Sequence, residues 1–215
     1  KFNFFTNVGG NFRRGPGGGE STQFFYNESG DVQRGLLSDR EHNRGGLSGN
    51  FQLGADYYFN PKTSLTVSGL YSYGDEENNT DITYTDLDAL EQITAITSRE
   101  DRENEIDHDA EGRINFTKTF DSDEHKWTVD FNFQLTDDTE SSEFTEKDIT
   151  EIVTLEQRSR NEEDERTFIL QSDYVHPFGD DGKFEAGLRA SYREVDNTFL
   201  VEELNDLKIG RASCR

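Results

Sequence analysis

The chain has 215 residues, a formal net charge of −23 and only 31% hydrophobic residues. An acidic excess of this size excludes a nucleic-acid surface, which needs clustered Lys and Arg against the phosphates. Low hydrophobicity with high net charge is also the composition of disorder, but 17 Phe, 8 Tyr and one Trp argue otherwise, because they gather in short alternating runs with the acids between them.

The chain opens directly in such a run, Lys1-Phe2-Asn3-Phe4, and the first strand is expected from Phe2 to Phe12. With no Met anywhere in the chain, the start reads as cut and any targeting segment as lost with it. Leu47 to Phe59 gives the clearest pattern. Phe51, Leu53, Ala55, Tyr57 and Phe59 share one face and Gln52, Gly54, Asp56 and Tyr58 the other, the period of two that defines a strand. Asn60-Pro61-Lys62-Thr63 is a turn, after which Leu65, Val67, Gly69, Tyr71 and Tyr73 resume the alternation as a hairpin.

The unit recurs twice. Ile114 and Phe116 lead through Phe120 to the polar turn at 121–125, followed by Trp127, Val129, Phe131, Phe133 and Leu135. Phe168, Leu170 and Tyr174 then run into the turn at 177–182, followed by Phe184, Ala186, Leu188, Ala190 and Tyr192. About seven strands result, each near the ~9–11 residues with which a tilted strand crosses a bilayer. Three long polar stretches separate the hairpins, near 14–46, 74–112 and 136–166, and are expected to be acidic loops.

No run approaches the ~18 consecutive apolar residues of a membrane helix. Repeated loops of this length count against a compact soluble domain, whereas short turns on one side and long loops on the other suit an outer-membrane barrel. Gln52, Asp56, Asp130, Asn132, Glu185, Arg189 and Arg193 on the polar face fit a wet lumen better than a dry core, where unpaired charge is costly. Tyr57, Phe59, Trp127, Phe178 and Phe184 lie beside the short turns, as an aromatic girdle would, although each also suits an ordinary core. The fold class is therefore all-β, an antiparallel up-and-down transmembrane barrel over residues 1–207, and partial, since bacterial barrels carry an even number of strands. The short turns are expected on the periplasmic side and the acidic stretches outside.

The run from Leu47 to Gly69, and within it Gly54 to Leu65 with its Asp-Tyr and Asn-Pro-Lys wording, resembles the TonB-dependent receptor/outer-membrane β-barrel family. That resemblance implies a larger barrel in the outer-membrane lipid of a Gram-negative cell, a plug domain of its own, energy supplied through the TonB system, and uptake of an extracellular nutrient such as a siderophore or glycan. A non-transporting surface or adhesion barrel is the alternative. A soluble acidic β-sandwich that binds Ca²⁺ is a third.

No catalytic, cofactor or metal set is visible in the sequence, and the ligand-binding residues are unknown at this stage. His42, His108, His125 and His176 lack metal-ligand spacing and read as solvated loop residues. Gly15 to Glu20 lacks the Lys-Ser/Thr of a phosphate loop and reads as a loop tip. The acidic clusters offer the oxygens Ca²⁺ takes, but without a D-x-D-x-D-G loop they read as a solvated, self-repelling face in preference to a Ca²⁺ site. Lys208 to Arg215 matches one frame of a sequencing adapter and is expected to be an artefact, with a genuine basic tail as the alternative; Cys214 falls within it.

Overall fold

The computed structural model describes residues 1–179, 182–205 and 208–214. They form one antiparallel sheet in strict chain order. The strands are β1 (Phe2–Tyr26), β2 (Val32–Asn60), β3 (Thr63–Leu87), β4 (Ile93–Thr119), β5 (Lys126–Asp148), β6 (Val153–Phe178), β7 (Gly182–Asn205) and a short β8 (Lys208–Cys214). Each strand touches only its chain neighbours. No helix and no second sheet occurs among the described residues, so the sandwich reading does not describe this chain. Asp180 and Asp181 of the last predicted turn lie outside the described residues.

The hairpins are where the alternation predicts them, but the strands are far longer. β2 has 29 residues and the shortest of the first seven, β5, has 23. The stretches near 14–46, 74–112 and 136–166 are not irregular loops. They continue the ladder up to short tips at 27–31, 88–92 and 149–152, with Gly17 opposite His42, Glu76 opposite Glu105 and Ser141 opposite Arg160. The Gly15–Glu20 segment is accordingly strand, and so are His42, His108 and His176; of the four histidines only His125 sits in a turn.

The distal ends of these tall hairpins share one connection. Asn27, Asp88 and Asp148 each accept, on the side-chain oxygen Oδ1, the backbone N–H groups two and four residues on, at 2.8–3.0 Å. The fourth residue of each tip is left-handed: Gly30 at φ 88°, Glu91 at 59° and Glu151 at 62°. Only Gly adopts that conformation without a Cβ penalty. Glu151→Gly is therefore expected to stabilise its hairpin by up to about 1 kcal/mol, measured as slower proteolysis at the tip.

There is almost no core. Ile82 is the one buried hydrophobic residue among those described, at 4% exposure, while Phe4, Val8 and Leu188 are 72%, 72% and 74% exposed. These exposed side chains are not scattered. The register aligns Phe4, Ala55, Val67, Ile114, Phe131, Leu170 and Ala190 in one row across seven strands. Rows two residues to either side are also largely apolar, making a belt about nine residues tall, from Trp127 to Leu135 on β5, which matches the span of a tilted transmembrane strand. A single layer with one continuous apolar face is stable only where hydrocarbon covers that face.

Inside the belt two glycines lie beneath aromatic rings. A Cβ on Gly112 would come within 1.9 Å of the Phe133 ring, and one on Gly54 within 2.1 Å of the Phe5 ring. Gly112→Ala is expected to cost about 1–3 kcal/mol by displacing that ring, and most of the cost should vanish in a Phe133→Leu background.

Candidate functional site

The opposite face of the sheet is largely polar along its height, and it is the surface on which chemistry is possible. At the height of the belt several of its acids are held by neighbours. Asp56 accepts from Asn3 Nδ2 at 2.9 Å and Thr66 Oγ1 at 2.7 Å. Asp130 accepts from Asn115 Nδ2 at 2.5 Å, and Asp173 from Gln171 Nε2 at 2.7 Å. At the upper edge Arg193 donates through Nε and Nη2 to the two carboxylate oxygens of Glu165, both at 2.7 Å, the forked geometry that makes Arg–carboxylate pairs strong. Charges bonded laterally and otherwise open suit a water-filled interior.

Beyond the belt the polar face of β4–β6 turns acidic. Glu105 and Asp107 on β4 and Asp138 on β5 bring carboxylate oxygens within 4.8 Å of one another, and Asp107 and Asp138 are direct register partners. Glu76, Asp109, Glu140 and Glu163 add further negative field. Partial burial, reinforced by these neighbouring carboxylates, raises the proton affinity of all three acids. Asp138 Oδ1 is shielded from solvent and has no hydrogen-bond partner. A proton shared with Asp107 would supply one. Oxygen donors of this kind suit hard cations, and three carboxylates alone would leave part of the shell of 6–8 oxygens that Ca²⁺ takes to other ligands.

Because the folded state binds protons at this cluster more tightly than the unfolded chain, stability rises as pH falls toward the ordinary carboxylate range. As pH falls from neutral toward the ordinary carboxylate range the β4–β5 hairpin is therefore expected to become more resistant to protease, with a smaller gain in Asp138→Asn. Asp148 opposes this at lower pH, since the Thr150 hydroxyl and the Ile152 N–H hold its carboxyl below the usual value.

The cluster was hidden in the linear sequence by its spacing. Glu105 and Asp107 are two apart and look like part of a charge run until a strand places both on one face. The histidines behave differently. His125 Nε2 lies 2.9 Å from Tyr174 Oη and 3.2 Å from His176 Nδ1, and its ring stacks on Phe120 at 4.3 Å. Trp127 packs edge-on against Phe116 at 5.6 Å and Tyr57 against Phe59 at 4.6 Å. With Phe178 and Phe184 exposed beside them, these rings form an aromatic border at the short-turn end of the belt, where a bilayer interface places one.

Residues 118–211 match the outer membrane protein beta-barrel family, a span that covers β5 to β7 and runs into β8. No curated protein sequence is similar enough to the chain to match it. The matched strands include the alternating run from Trp127 to Leu135. Chain-order antiparallel pairing, a bilayer-height belt and this family match identify the chain as part of an outer-membrane β-barrel, resident in the cell outer membrane.

Proposed function

We propose that this barrel serves a TonB-dependent receptor that takes up a nutrient ligand across the outer membrane. The observation that carries the reading is the polar face itself. From Asp56 at the short-turn end to Glu105 and Asp138 beyond the belt, it presents charged side chains along the full height of the sheet. A narrow barrel filled by its own side chains has no room for such a lining; a wide one holding water and a plug does. The Gly54–Leu65 hairpin, which resembles that family, supports the same reading. In this arrangement the two-residue connection at Pro61-Lys62 and the turn at 121–125 face the periplasm, and the tall acidic hairpins stand outside the cell. Their tips, on a rigid scaffold, are placed to meet a ligand first.

The test is uptake in a host with and without a functional TonB system. Ligand-dependent growth that requires both this gene and TonB is the expected result. Growth or uptake that persists unchanged without TonB would favour a passive or purely adhesive barrel instead.

A further inference from the structure

On a chain of net charge −23, one part of the polar face is basic. Alternation places Arg13 of β1 and Arg34, Arg40 and Arg44 of β2 on that face, with His42 among them. No acid occupies the polar-face positions of either strand from Asn7 to Phe25 or from Arg34 to Ser48. The acids within these two stretches, Glu20, Asp39 and Glu41, fall on the opposite face. Side-chain contacts fix the assignment. Ser21 Oγ and Ser38 Oγ meet at 2.7 Å, the Arg34 guanidinium lies 4.0 Å over the Phe25 ring, and Arg13 pairs with Glu76 of β3 at 3.0 Å. Arg34, Arg40 and Arg44 are exposed and make no ion pair among the described residues.

The strand beside them is stripped of side chains. Arg40 is paired with Gly19, His42 with Gly17 and Arg44 with Gly15. A Cβ on Gly19 would meet nothing within 4 Å, and one on Gly15 only a backbone oxygen at 3.7 Å. Between them the His42 ring lies over Gly17, within 2.5 Å of where a Cβ would sit, so the open floor is at Gly19 beside Arg40 and at Gly15 beside Arg44, with the imidazole between the two.

We infer that the polar face of the β1–β2 hairpin is a binding stripe for an extended oligoanion, a linear molecule bearing several carboxylate or phosphate groups. At about 3.4 Å per residue, Arg40 and Arg44 stand roughly 14 Å apart and Arg34 and Arg40 roughly 20 Å apart. A compact anion reaches one of them, whereas a chain of anionic groups reaches all three. Guanidinium suits both oxyanions through its forked donors. The acidic face of β4–β6 repels the same ligand, so it is confined to this edge of the arc. The inference rests on the uptake reading only for the ligand's reaching this face from outside; binding itself is measured apart from transport.

The detergent-solubilised protein is titrated calorimetrically with a hexameric oligogalacturonate, with linear polyphosphate, and with orthophosphate as the compact control. Binding of at least one oligoanion is expected, weakened by added salt and by about tenfold in Arg34→Gln/Arg40→Gln/Arg44→Gln, several exposed charge contacts each contributing a small factor. Lys183→Gln, at the other end of the sheet, should leave it unchanged. Which oligoanion binds distinguishes a carboxylated from a phosphorylated ligand. Three results would overturn the stripe: no oligoanion binding by the unaltered protein, equal binding by a triple variant that still inserts in membranes, or orthophosphate binding as tightly as the chains. Oligoanion binding without TonB-dependent uptake would leave the stripe standing and remove the transport reading alone.

Discussion

Arginine at Phe131 is expected to prevent stable insertion of the barrel, while arginine at Asn132, one residue along, is expected to be tolerated. Phe131 lies in the central row of the apolar belt, flanked across the ladder by Ile114 and Leu170. Its replacement puts a guanidinium at the depth where hydrocarbon is thickest, at a cost of about 2–4 kcal/mol for a lipid-facing Arg at the midplane. Asn132 faces the other way, opposite Arg113 and Ile169, on the face that already carries Asp130 and its hydrogen bond from Asn115. An arginine there meets water, with Asp130 two residues along the strand and the exposed Arg113 opposite already paired with Glu111. Insertion is read by outer-membrane fractionation together with the heat-dependent gel shift of folded barrels. Equal loss in both variants would mean that the two faces are not a lipid side and a water side. Equal tolerance would mean the same.

How much of this was legible beforehand depends on what each face touches. From Phe51 to Phe59 and from Trp127 to Leu135, one face meets lipid and the other water, so apolar and polar residues alternate and the strand can be read directly. Above the belt both faces are wet. The period of two carries no hydrophobic signal there, and segments such as Arg99-Glu100-Asp101-Arg102-Glu103, rich in residues that disfavour strands, look like solvated loops. Yet they are held as strand by cross-strand pairs. Arg99 bridges to Glu146 at 3.2 Å, Lys147 to Glu100 at 3.0 Å and Arg102 to Asp81 at 2.6 Å. A residual signal was present in the sign of the charge. Asp39, Arg40 and Glu41 alternate as strictly as Phe51, Gln52 and Leu53, and the recurring tips at Asn27, Asp88 and Asp148 mark where the long strands reverse. The acidic cluster depends on a register between β4 and β5 that no spacing within one strand encodes.

The boundary between these two regimes is itself testable with proline. Asn115 and Asn104 lie on the same central strand, β4, with β3 on one side and β5 on the other. Proline removes a ladder N–H and is normally confined to edge strands. At Asn115, within the belt, the partner carbonyl loses its donor where water is scarce. An unpaired backbone group in hydrocarbon costs several kcal/mol, so Asn115→Pro is expected to abolish assembly. At Asn104, which lies opposite Glu77 and Ser141, water can replace the lost donor. Asn104→Pro is expected to loosen the β3–β5 region to protease while leaving the heat-dependent gel shift and outer-membrane location intact. Were Asn104→Pro as damaging as Asn115→Pro, the tall acidic ladder would have to be part of the assembly unit, not an extension built on it. Were Asn115→Pro harmless, the belt assigned to β4 would be misplaced, and with it the depth of every charge on the polar face.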